Sequence, residues 1–341
     1  MAAMREAYDL TCVVHLHSTY SDGSGTVPQI ARAAQRAGID VVLLTDHDTL
    51  EAKRRGEERW YDTVLVLVGE EVTPTDRDHF LAFGIDTEIN RYLSGPEICK
   101  AVSAAGGFGF AAHPFSRGFE RFKRPGIPFG EPECLDGIEL WSFLNDTGER
   151  LRGFRDLARM ILTPQRAIGG PVPDNLRRWD RLCQARRVVA IGGLDAHQFG
   201  IRIAGHVPIR LMGYERAFKQ LHTHVLLDEP VSHELEHDRA LVYEALREGR
   251  CYIANDEVAA ARGFSFSHMG EEMPFEAGIE LHASTPQPAH IRLLRDGETV
   301  AESHSSELDH SIELPGVYRV EASLRGRPWV FSNPAYIRAY S

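Results

Sequence analysis

Short apolar runs alternate with amphipathic stretches along the first two hundred residues, and this alternation constrains the fold more than any other feature of the chain. Such alternation is typical of strand–helix units and a mostly parallel sheet. The predicted strands are 10–16, 41–45, 64–69, 79–84, 108–112, 137–140 and 188–192, and helical patterns occupy 27–37, 50–59 and 96–105. The sequence therefore predicts an α/β fold for this part of the chain.

The alternation stops between residues 117 and 187. Proline- and glycine-rich pieces there flank an arginine-studded helical pattern at 149–161, which predicts either a partly helical insertion over a cleft or a solvated excursion. Beyond residue 262, short β-type runs at 279–283, 291–295, 311–314, 317–322 and 334–338 are separated by turn signals such as Asp296-Gly297. We therefore expect two domains, residues 8–261 with the strand–helix units and residues 262–341 as a small antiparallel β-sandwich.

The charge balance excludes some classes of protein. The formal net charge is −11, from 49 acidic and 38 basic residues, which argues against a protein that coats nucleic acid or binds a membrane surface through Lys and Arg. No apolar stretch is long enough for a secretion signal or a membrane span, and the five cysteines form no CxxC pair. We expect a cytoplasmic protein with reduced thiols and without a membrane partner or a stable nucleic-acid complex.

Histidine, aspartate and glutamate recur where the predicted strands end. His15-Leu16-His17 closes the first strand, and residues two apart on a strand face the same side, so both imidazoles are expected to point to one place. The other candidates are Asp22, His47, Glu70, His79, His113, Asp195 and His197. Barrel enzymes place their chemistry at the carboxyl ends of strands. Imidazole and carboxylate suit Mn, Zn or Fe(II), and nine ligands are too many for one ion, so we expect two or three divalent ions.

In this order the residues resemble the motifs of the PHP (polymerase and histidinol phosphatase) domain. His15-x-His17 with Asp22 looks like the first motif and Asp46-His47 like the second; the later motifs look like Glu70 with His79, His113-Pro114 and Asp195-x-His197. The likeness spans roughly residues 10–255. It implies a distorted seven-stranded β/α barrel of the PHP type, similar to a TIM barrel. With the insertion and the terminal sandwich, the chain is also similar to the carbaryl-hydrolase-like branch of this superfamily.

The resemblance implies a division of the ligands among three ions. The first ion would be held by His15, His17, Glu70 and Asp195. Glu70 would bridge to a second ion, held by His79 and His113. The third would be held by Asp22, His47 and His197, although some members of the family have His where Asp22 stands.

Three further residues are predicted to act in catalysis. Asp46 would orient a ligand from outside the first coordination sphere or serve as an ordinary turn residue. Arg117 is placed to bind a phosphate through two hydrogen bonds, and His206 to reach the cleft. Glu71 is expected to point away from the metals if its strand persists, and Glu139 to face the barrel mouth or to be a buried, hydrogen-bonded carboxylate.

The leading hypothesis is a metal-dependent phosphoesterase that hydrolyses a phosphomonoester or phosphodiester, with nucleotides among the candidate substrates. A hydroxide activated in a di- or trinuclear site would attack directly. Two alternatives stay open: hydrolysis of a carboxylic or carbamic ester at the same site, and an inactive PHP scaffold or binding module. Convergent Arg or Lys would favour phosphate, as Arg117 does, and an apolar aromatic cleft would favour a neutral ester. Self-association of the chain is a further expectation.

Overall fold

The computed structural model describes residues 8–339 apart from 75–76, 117, 120–123, 126–133, 151–152, 154, 157, 159–161, 164–168, 199, 204–205 and 211. At 118–119, 124–125, 200–203 and 206–210 it describes the backbone alone. Within these residues we find no helix with the length and apolar character that crossing a membrane requires.

The first part of the described chain alternates strands with helices. Its strands are β1 (Tyr8–Val14), β2 (Val41–His47), β3 (Arg59–Tyr61), β4 (Val64–Val72), β5 (Phe80–Phe83), β6 (Phe108–Ala111), β7 (Gly118–Phe119), β8 (Arg124–Pro125), β9 (Gly137–Ser142), β10 (Val189–Gly193), β11 (Gly200–Ile203), β12 (His206–Arg210), β13 (His222–Leu227) and β14 (Cys251–Ala254). Its helices are α1 (Val27–Ala37), α2 (Glu51–Arg54), α3 (Gly95–Ala104), α4 (Phe143–Glu149), α5 (Pro173–Ala185), α6 (Tyr214–Ala217) and α7 (Leu235–Glu248).

From residue 265 onward the described elements are strands. They are β15 (Ser265–Phe266), β16 (Glu272–Pro274), β17 (Glu280–Ser284), β18 (His290–Arg295), β19 (Glu298–Ser303), β20 (Glu307–Ser311), β21 (Gly316–Leu324), β22 (Arg327–Ser332) and β23 (Ala335–Arg338).

Helix α1 has the predicted bounds because both of its ends carry clear signals. At its start the backbone N–H of Thr26 donates to the side chain of Gln29 (3.1 Å). Pro28 stands in the first turn, where a missing N–H is tolerated. At its end Gly38 adopts a left-handed conformation (φ 76°) that closes the helix.

Several elements differ from the sequence predictions, and three of them show why. The helix predicted at 50–59 ends at Arg54, because Gly56 turns the chain (φ 71°) and Arg59–Tyr61 pairs with β4 as β3. The strand predicted at 311–314 is instead Glu307–Ser311, paired with β17. Strand β22 was not predicted, and it pairs with both β14 and β21.

One sheet runs through most of the described chain, in the order β10-β9-β6-β5-β4-β2-β1-β13-β14-β22-β21-β18-β19. Its first half contains four parallel pairs, which are β1 with β2, β2 with β4, β6 with β9 and β9 with β10. The antiparallel pair of β14 with β22 carries the sheet across the predicted domain boundary at residue 261. The fold is therefore a mixed α/β sheet that continues into a C-terminal sheet.

Strand β10 is the first strand in this order, and the segment that follows it lies next to the end of β1. The segment after β10 forms a parallel bridge between Leu16 and Ala196. The backbone N–H of Leu194 donates to the carbonyl of Val14 (2.9 Å), and that of His17 donates to Ala196 (3.0 Å). The carboxyl ends of β1 and β10 therefore lie side by side, although they are far apart in the sequence.

The strands of the first half are covered on both faces. Every residue of β4 is buried. Alternate side chains beginning with Val64 pack in one core cluster with α1 and α3, and those beginning with Leu65 pack in a second cluster with α7. A strand buried on both faces shows no alternation of polar and apolar residues. The sequence of β4 therefore does not reveal which of its side chains point to which core.

Candidate metal centre

The end of β1 brings two imidazoles to one point. Strand β1 ends at Val14, before the predicted end, and His15 takes a left-handed backbone conformation (φ 63°). The Nε2 atoms of His15 and His17 lie 3.2 and 3.5 Å from Glu71 Oε2. They also lie 3.5 and 3.4 Å from Asp195 Oδ1. The two histidines converge as predicted, but through a turn at His15 rather than through regular strand alternation.

Glu71 is the centre of the cluster. Its Oε2 lies 3.1 Å from His47 Nδ1, in addition to the two imidazoles of the β1 end. Its Oε1 lies 2.9 Å from His79 Nδ1 and 3.4 Å from His113 Nε2. One buried carboxylate thus faces five imidazoles, with different rings at its two oxygens. A carboxylate in these surroundings is suited to bridge two metal ions.

Glu70, predicted as the bridging ligand, points the other way. Its Oε1 accepts a hydrogen bond from the backbone N–H of Ile89 (2.6 Å). Among the described residues it belongs to none of the His, Asp and Glu groups that are close enough to share an ion. Burial raises the pKa of Glu70 to about 8. The structure therefore reverses the expectation for the two neighbouring glutamates, because Glu71 and not Glu70 faces the imidazoles.

Asp22, His47 and His197 form an adjoining group. Asp22 Oδ1 lies 3.5 Å from His47 Nε2 and 3.2 Å from His197 Nε2. The ring of His17 stacks on both of these imidazoles, with centroid distances of 4.2 Å to His47 and 4.1 Å to His197. Asp195 Oδ1 lies 3.5 Å from His197 Nδ1 and links this group to the first.

Glu139 fixes the orientation of two side chains in the cluster. Its Oε1 accepts a hydrogen bond from His15 Nδ1 (3.1 Å), and its Oε2 accepts one from the backbone N–H of His113 (2.7 Å). A carboxylate on the outer nitrogen of an imidazole sets the tautomer and leaves the inner nitrogen free to ligate. Gly193 is required beside it, because a Cβ there would lie 1.9 Å from Glu139 Oε1. Glu139 is therefore the buried, hydrogen-bonded carboxylate of the two alternatives that the sequence left open.

Asp46 binds the loop that follows β1. Its carboxylate accepts hydrogen bonds from the backbone N–H of Ser18 (2.7 Å), from Ser18 Oγ (2.6 Å) and from Ser21 Oγ (2.6 Å). The same loop carries Asp22, so Asp46 holds in place the loop on which a predicted ligand stands. Sequence reasoning did not single out Asn145, whose Nδ2 donates to Asp195 Oδ2 (3.1 Å). Nothing in its local sequence separates it from other polar residues of a helix.

Two predicted catalytic residues lie outside what the structure describes. Arg117 is among the residues that are not described, and for His206 only the backbone, in β12, is described. Their roles therefore stay predictions.

The cluster holds two carboxylates, those of Glu71 and Asp195, close to several imidazoles. Burial alone would raise the pKa of Glu71 and of Asp195, but the imidazoles, His15 foremost, hold both pKa values well below their usual range. Burial lowers the pKa of His17 to about 4, so this ring is neutral and able to ligate. For His197, Asp22 and Asp195 outweigh burial and raise the pKa to about 9. Protons on imidazoles thus supply positive charge where carboxylates converge.

Several buried atoms of the cluster have no hydrogen-bond partner within the described part of the chain. They include Nε2 of His15, both ring nitrogens of His17, Nδ1 of His47 and Oε2 of Glu71. A buried polar atom without a partner destabilises the fold by about 1–3 kcal/mol, and bound cations would satisfy these atoms. Imidazole and carboxylate donors without thiolates suit Zn²⁺, Mn²⁺ or Fe²⁺. The residues therefore fit a group of divalent metal ions.

The structure brings eight of the nine predicted ligands into groups of residues close enough to hold an ion. They are His15, His17, Asp22, His47, His79, His113, Asp195 and His197. The backbone is unusual at three of them, because His15, His113 and Asp195 have positive φ values of 63°, 34° and 50°. Such conformations persist only where surrounding contacts enforce them, and they cluster at functional sites.

Comparison with known proteins gives distant similarities. No protein-family model matches the sequence. Over 118 residues the chain is 27% identical to an uncharacterised protein of Methanocaldococcus jannaschii, a stretch that is 30% of this chain and 67% of that protein.

Among solved structures, the chain is similar to a two-domain protein of Bacteroides vulgatus described as containing a PHP-like metal-dependent phosphoesterase (TM-score 0.49, 17% identity, 96% of this chain and 95% of that one). A protein of Bifidobacterium adolescentis described as a metal-dependent phosphoesterase (TM-score 0.34, 19% identity, 55% and 87%) and an amidohydrolase of Chromobacterium violaceum (TM-score 0.26, 15% identity, 55% and 87%) are similar over part of the chain.

Proposed function

We propose that the chain is a metal-dependent hydrolase that cleaves a phosphomonoester or phosphodiester in a site of two or three divalent ions. The observation that supports this proposal is the position of Glu71, a buried carboxylate with imidazoles at both of its oxygens. Ligand groups that share a carboxylate serve ions about 3.5–4 Å apart. A single four- to six-coordinate ion would leave at least three of the nine proposed ligands without a metal.

The proposed ligands follow the division implied by the sequence, with Glu71 in the place of Glu70. The first ion would be held by His15, His17, Glu71 and Asp195. Glu71 would bridge to a second ion, held by His79 and His113. The third would be held by Asp22, His47 and His197. Each of these residues belongs to at least one group whose ligand atoms lie within 4.8 Å of one another.

When bound, such ions lower the pKa of a water molecule towards neutrality and neutralise charge on phosphoryl oxygens. The chain's own residues then act by holding the ligands in place. Glu139 orients His15, and Asn145 donates to Asp195. Asp46 fixes the loop after β1 and is therefore proposed as a positioning residue.

Two described arginines contact residues that are close in sequence to proposed ligands. Arg91 pairs with Asp48 (2.6 Å), which directly follows a proposed ligand. Arg178 lies over the ring of Phe115 (5.1 Å), two residues after another proposed ligand. Guanidinium groups bind phosphate oxygens through paired hydrogen bonds. Arg117, whose role is predicted from the sequence, favours a phosphoester over a neutral ester.

The proposal extends to the architecture. The bridge between the ends of β1 and β10 supports the distorted seven-stranded barrel that the sequence resemblance implies. Residues 262–341 contribute most of a separate core cluster, which supports a second domain. The likeness to the carbaryl-hydrolase-like branch stays a prediction.

An assay of the metal-loaded chain tests the function. With Mn²⁺ added, the substrates are p-nitrophenyl phosphate, its bis-ester, short nucleotides, p-nitrophenyl acetate and a naphthyl carbamate. We expect hydrolysis of a phosphoester that is lost in the Glu71→Gln variant. Hydrolysis of the acetate or carbamate alone would replace the proposal with the carboxylic or carbamic ester alternative. Inactivity on every substrate at full metal loading would favour an inactive scaffold.

A further inference from the structure

A second cluster of His and Asp residues shares no member with the proposed metal centre. His222 and His224 stand two apart on β13 and so face the same side of the sheet. Thr223 between them hydrogen-bonds through its Oγ1 with the backbone of Gly192 on β10. Asp256 follows β14, and its Oδ2 lies 2.7 Å from His222 Nδ1 and 2.9 Å from His224 Nε2.

The outer nitrogens of both rings also face oxygen atoms. His222 Nε2 contacts the carbonyl oxygen of Phe218, and His224 Nδ1 lies 2.7 Å from Asp9 Oδ1. The other oxygen of Asp9 accepts a hydrogen bond from the hydroxyl of Tyr252 (2.6 Å). Both imidazoles are buried, with exposed fractions of 5% and 0%. All four ring nitrogens therefore face an acceptor.

This arrangement needs positive charge between the rings. A neutral imidazole carries a single N–H, so it can donate to only one of the two oxygens that flank it. If the outer nitrogens carry the hydrogens, the inner nitrogens, His222 Nδ1 and His224 Nε2, have none. These nitrogens and the carboxylate of Asp256 then face each other with lone pairs only, which is repulsive. Either each ring holds a second proton, with the two charges balanced by the carboxylates of Asp9 and Asp256, or one divalent ion replaces both inner protons. The second solution leaves the rings neutral and keeps their outer N–H groups hydrogen-bonded, which is the usual state of ligating histidines.

We propose that His222 Nδ1, His224 Nε2 and Asp256 Oδ2 bind a Zn²⁺ ion. Two imidazoles and a carboxylate are donors that zinc accepts at about 2.0–2.2 Å, with water as a fourth ligand. The distances from Asp256 Oδ2 to the two ring nitrogens would have to lengthen by roughly half an ångström to reach the spacing of ligand atoms around a tetrahedral ion. Asp256 Oδ1 meanwhile accepts from the backbone N–H of Ala261 (2.8 Å). The ion would thus fasten the segment after β14 to β13.

Anomalous diffraction at the zinc edge, from crystals of the unsubstituted chain grown with Zn²⁺, tests this proposal directly. We expect a peak within bonding distance of all three donor atoms. A map without a peak there, in which both imidazoles contact Asp256 directly, would overturn the proposal. The same map shows the Glu71 cluster separately, so the failure of this site and the failure of the proposed hydrolytic site are distinguishable.

Metal analysis of variants gives a second test. After loading and desalting, the His222→Ala variant is expected to hold one Zn²⁺ per chain fewer than the unsubstituted protein. His282→Ala is the matched control, because it removes an exposed histidine that pairs with Asp309 (2.7 Å) on another sheet, and it should keep the full count. Equal counts in both variants would overturn the proposal. If His222→Ala does not fold, the diffraction experiment decides.

Discussion

Glu70 and Glu71 are adjacent on one buried strand and have opposite surroundings. Residues next to each other on a strand point to opposite faces, and here one face holds the imidazoles while the other offers the backbone N–H of Ile89. Because burial raises the pKa of Glu70 to about 8, this side chain is mostly protonated near neutral pH. The substitution Glu70→Gln therefore keeps the shape and the neutral state of this side chain. The substitution Glu71→Gln instead removes a negative charge that the proposed ions require.

Glu71→Gln is expected to lower phosphoester hydrolysis by more than about 100-fold, since even residues that only support a metal ligand contribute roughly 10–100-fold. The variant should also bind less metal per chain, because an amide does not replace a carboxylate that bridges two ions. Glu70→Gln should retain both properties. Steady-state kinetics and elemental analysis of the two variants check this prediction. Equal losses in both would contradict the assignment of Glu71 to the site.

Gly193→Ala is expected to weaken metal binding by about 10–100-fold. The added Cβ would lie 1.9 Å from Glu139 Oε1 and 3.1 Å from His15 Cβ, so Glu139 would have to leave the outer nitrogen of His15. Metal titration followed by competition with a chelator measures the change. Gly153→Ala is the control, because no described atom lies within 4 Å of the Cβ it adds. Unchanged affinity in Gly193→Ala would show that Glu139 does not support the site.

The sequence predicted the meeting of distant ligands better than the direction of individual side chains. His15, His113 and Asp195 follow apolar runs, and the ends of neighbouring strands meet whatever the details of each strand are. The choice between Glu70 and Glu71 depends instead on which core each side of β4 faces. Both sides of β4 are apolar, so the sequence pattern carries no information on this choice.

At the scale of elements, local signals decided which predictions held. Helix α1 has its predicted bounds because capping contacts and a left-handed Gly38 define its ends. Helix α2 is shorter than predicted because Arg59–Tyr61 pairs with β4, a contact set by the fold and not by local propensity. Strand β22 contains Pro328 and directly follows a turn, so its sequence pattern did not predict a strand. Elements defined by distant partners were therefore the ones that sequence reasoning missed.

Helix α5 is joined to the C-terminal sheet by a buried ion pair. Arg319 on β21 donates from Nε and Nη2 to the two carboxylate oxygens of Asp180 (2.6 and 3.0 Å), and from Nη1 to Glu321 (2.6 Å). Its guanidinium group also lies over the ring of Trp179 (5.3 Å). The guanidinium is thus the shared partner of two carboxylates with little access to water.

Arg319→Ala is expected to lower the free energy of unfolding by about 3–5 kcal/mol, because it leaves the buried carboxylate of Asp180 without its partner. Glu321 also loses this contact but keeps its pair with Arg292. Arg177→Ala removes a pair with Asp174 (3.1 Å) that is exposed on the same helix, and it should change stability by less than about 1 kcal/mol. Urea denaturation of both variants compares them. A small effect of Arg319→Ala would mean that α5 is held to the sheet mainly by apolar packing.

At the scale of the whole molecule, the proposed ions join segments that are distant in the sequence, from the end of β1 to the segment after β10. Ions that bind only the folded chain stabilise it by about 2.7 kcal/mol at a free concentration one hundred times their dissociation constant. Chelation is therefore expected to lower the urea midpoint of the entire chain, and re-addition of Mn²⁺ or Zn²⁺ should restore it. An unchanged midpoint after complete chelation would argue against a shared site.

Chelation should also make stability depend on pH in a defined direction. Burial lowers the pKa of His197, but Asp22 and Asp195 outweigh this effect and raise the pKa to about 9, from an ordinary value of 6.5. A histidine with a raised pKa stabilises the fold fully below its unfolded pKa, and this contribution is lost as the pH rises through the folded pKa. His197 should therefore contribute a loss of roughly 3 kcal/mol in the metal-free chain between about pH 6.5 and pH 9.

The metal-loaded chain should not show this loss, because a ligating imidazole is already neutral and the ion carries the positive charge. The difference between the two curves of unfolding free energy against pH therefore reports on the proposed ligand imidazoles with raised pKa values, His197 among them. Urea titrations at several pH values across this window, with and without chelator, measure it. A His197→Ala variant should remove the part of this pH dependence that comes from His197, while the other buried groups with raised pKa values, such as Glu70 and His224, keep theirs. Parallel curves for loaded and metal-free protein would place His197 outside the metal centre, because only a ligand exchanges its proton for an ion.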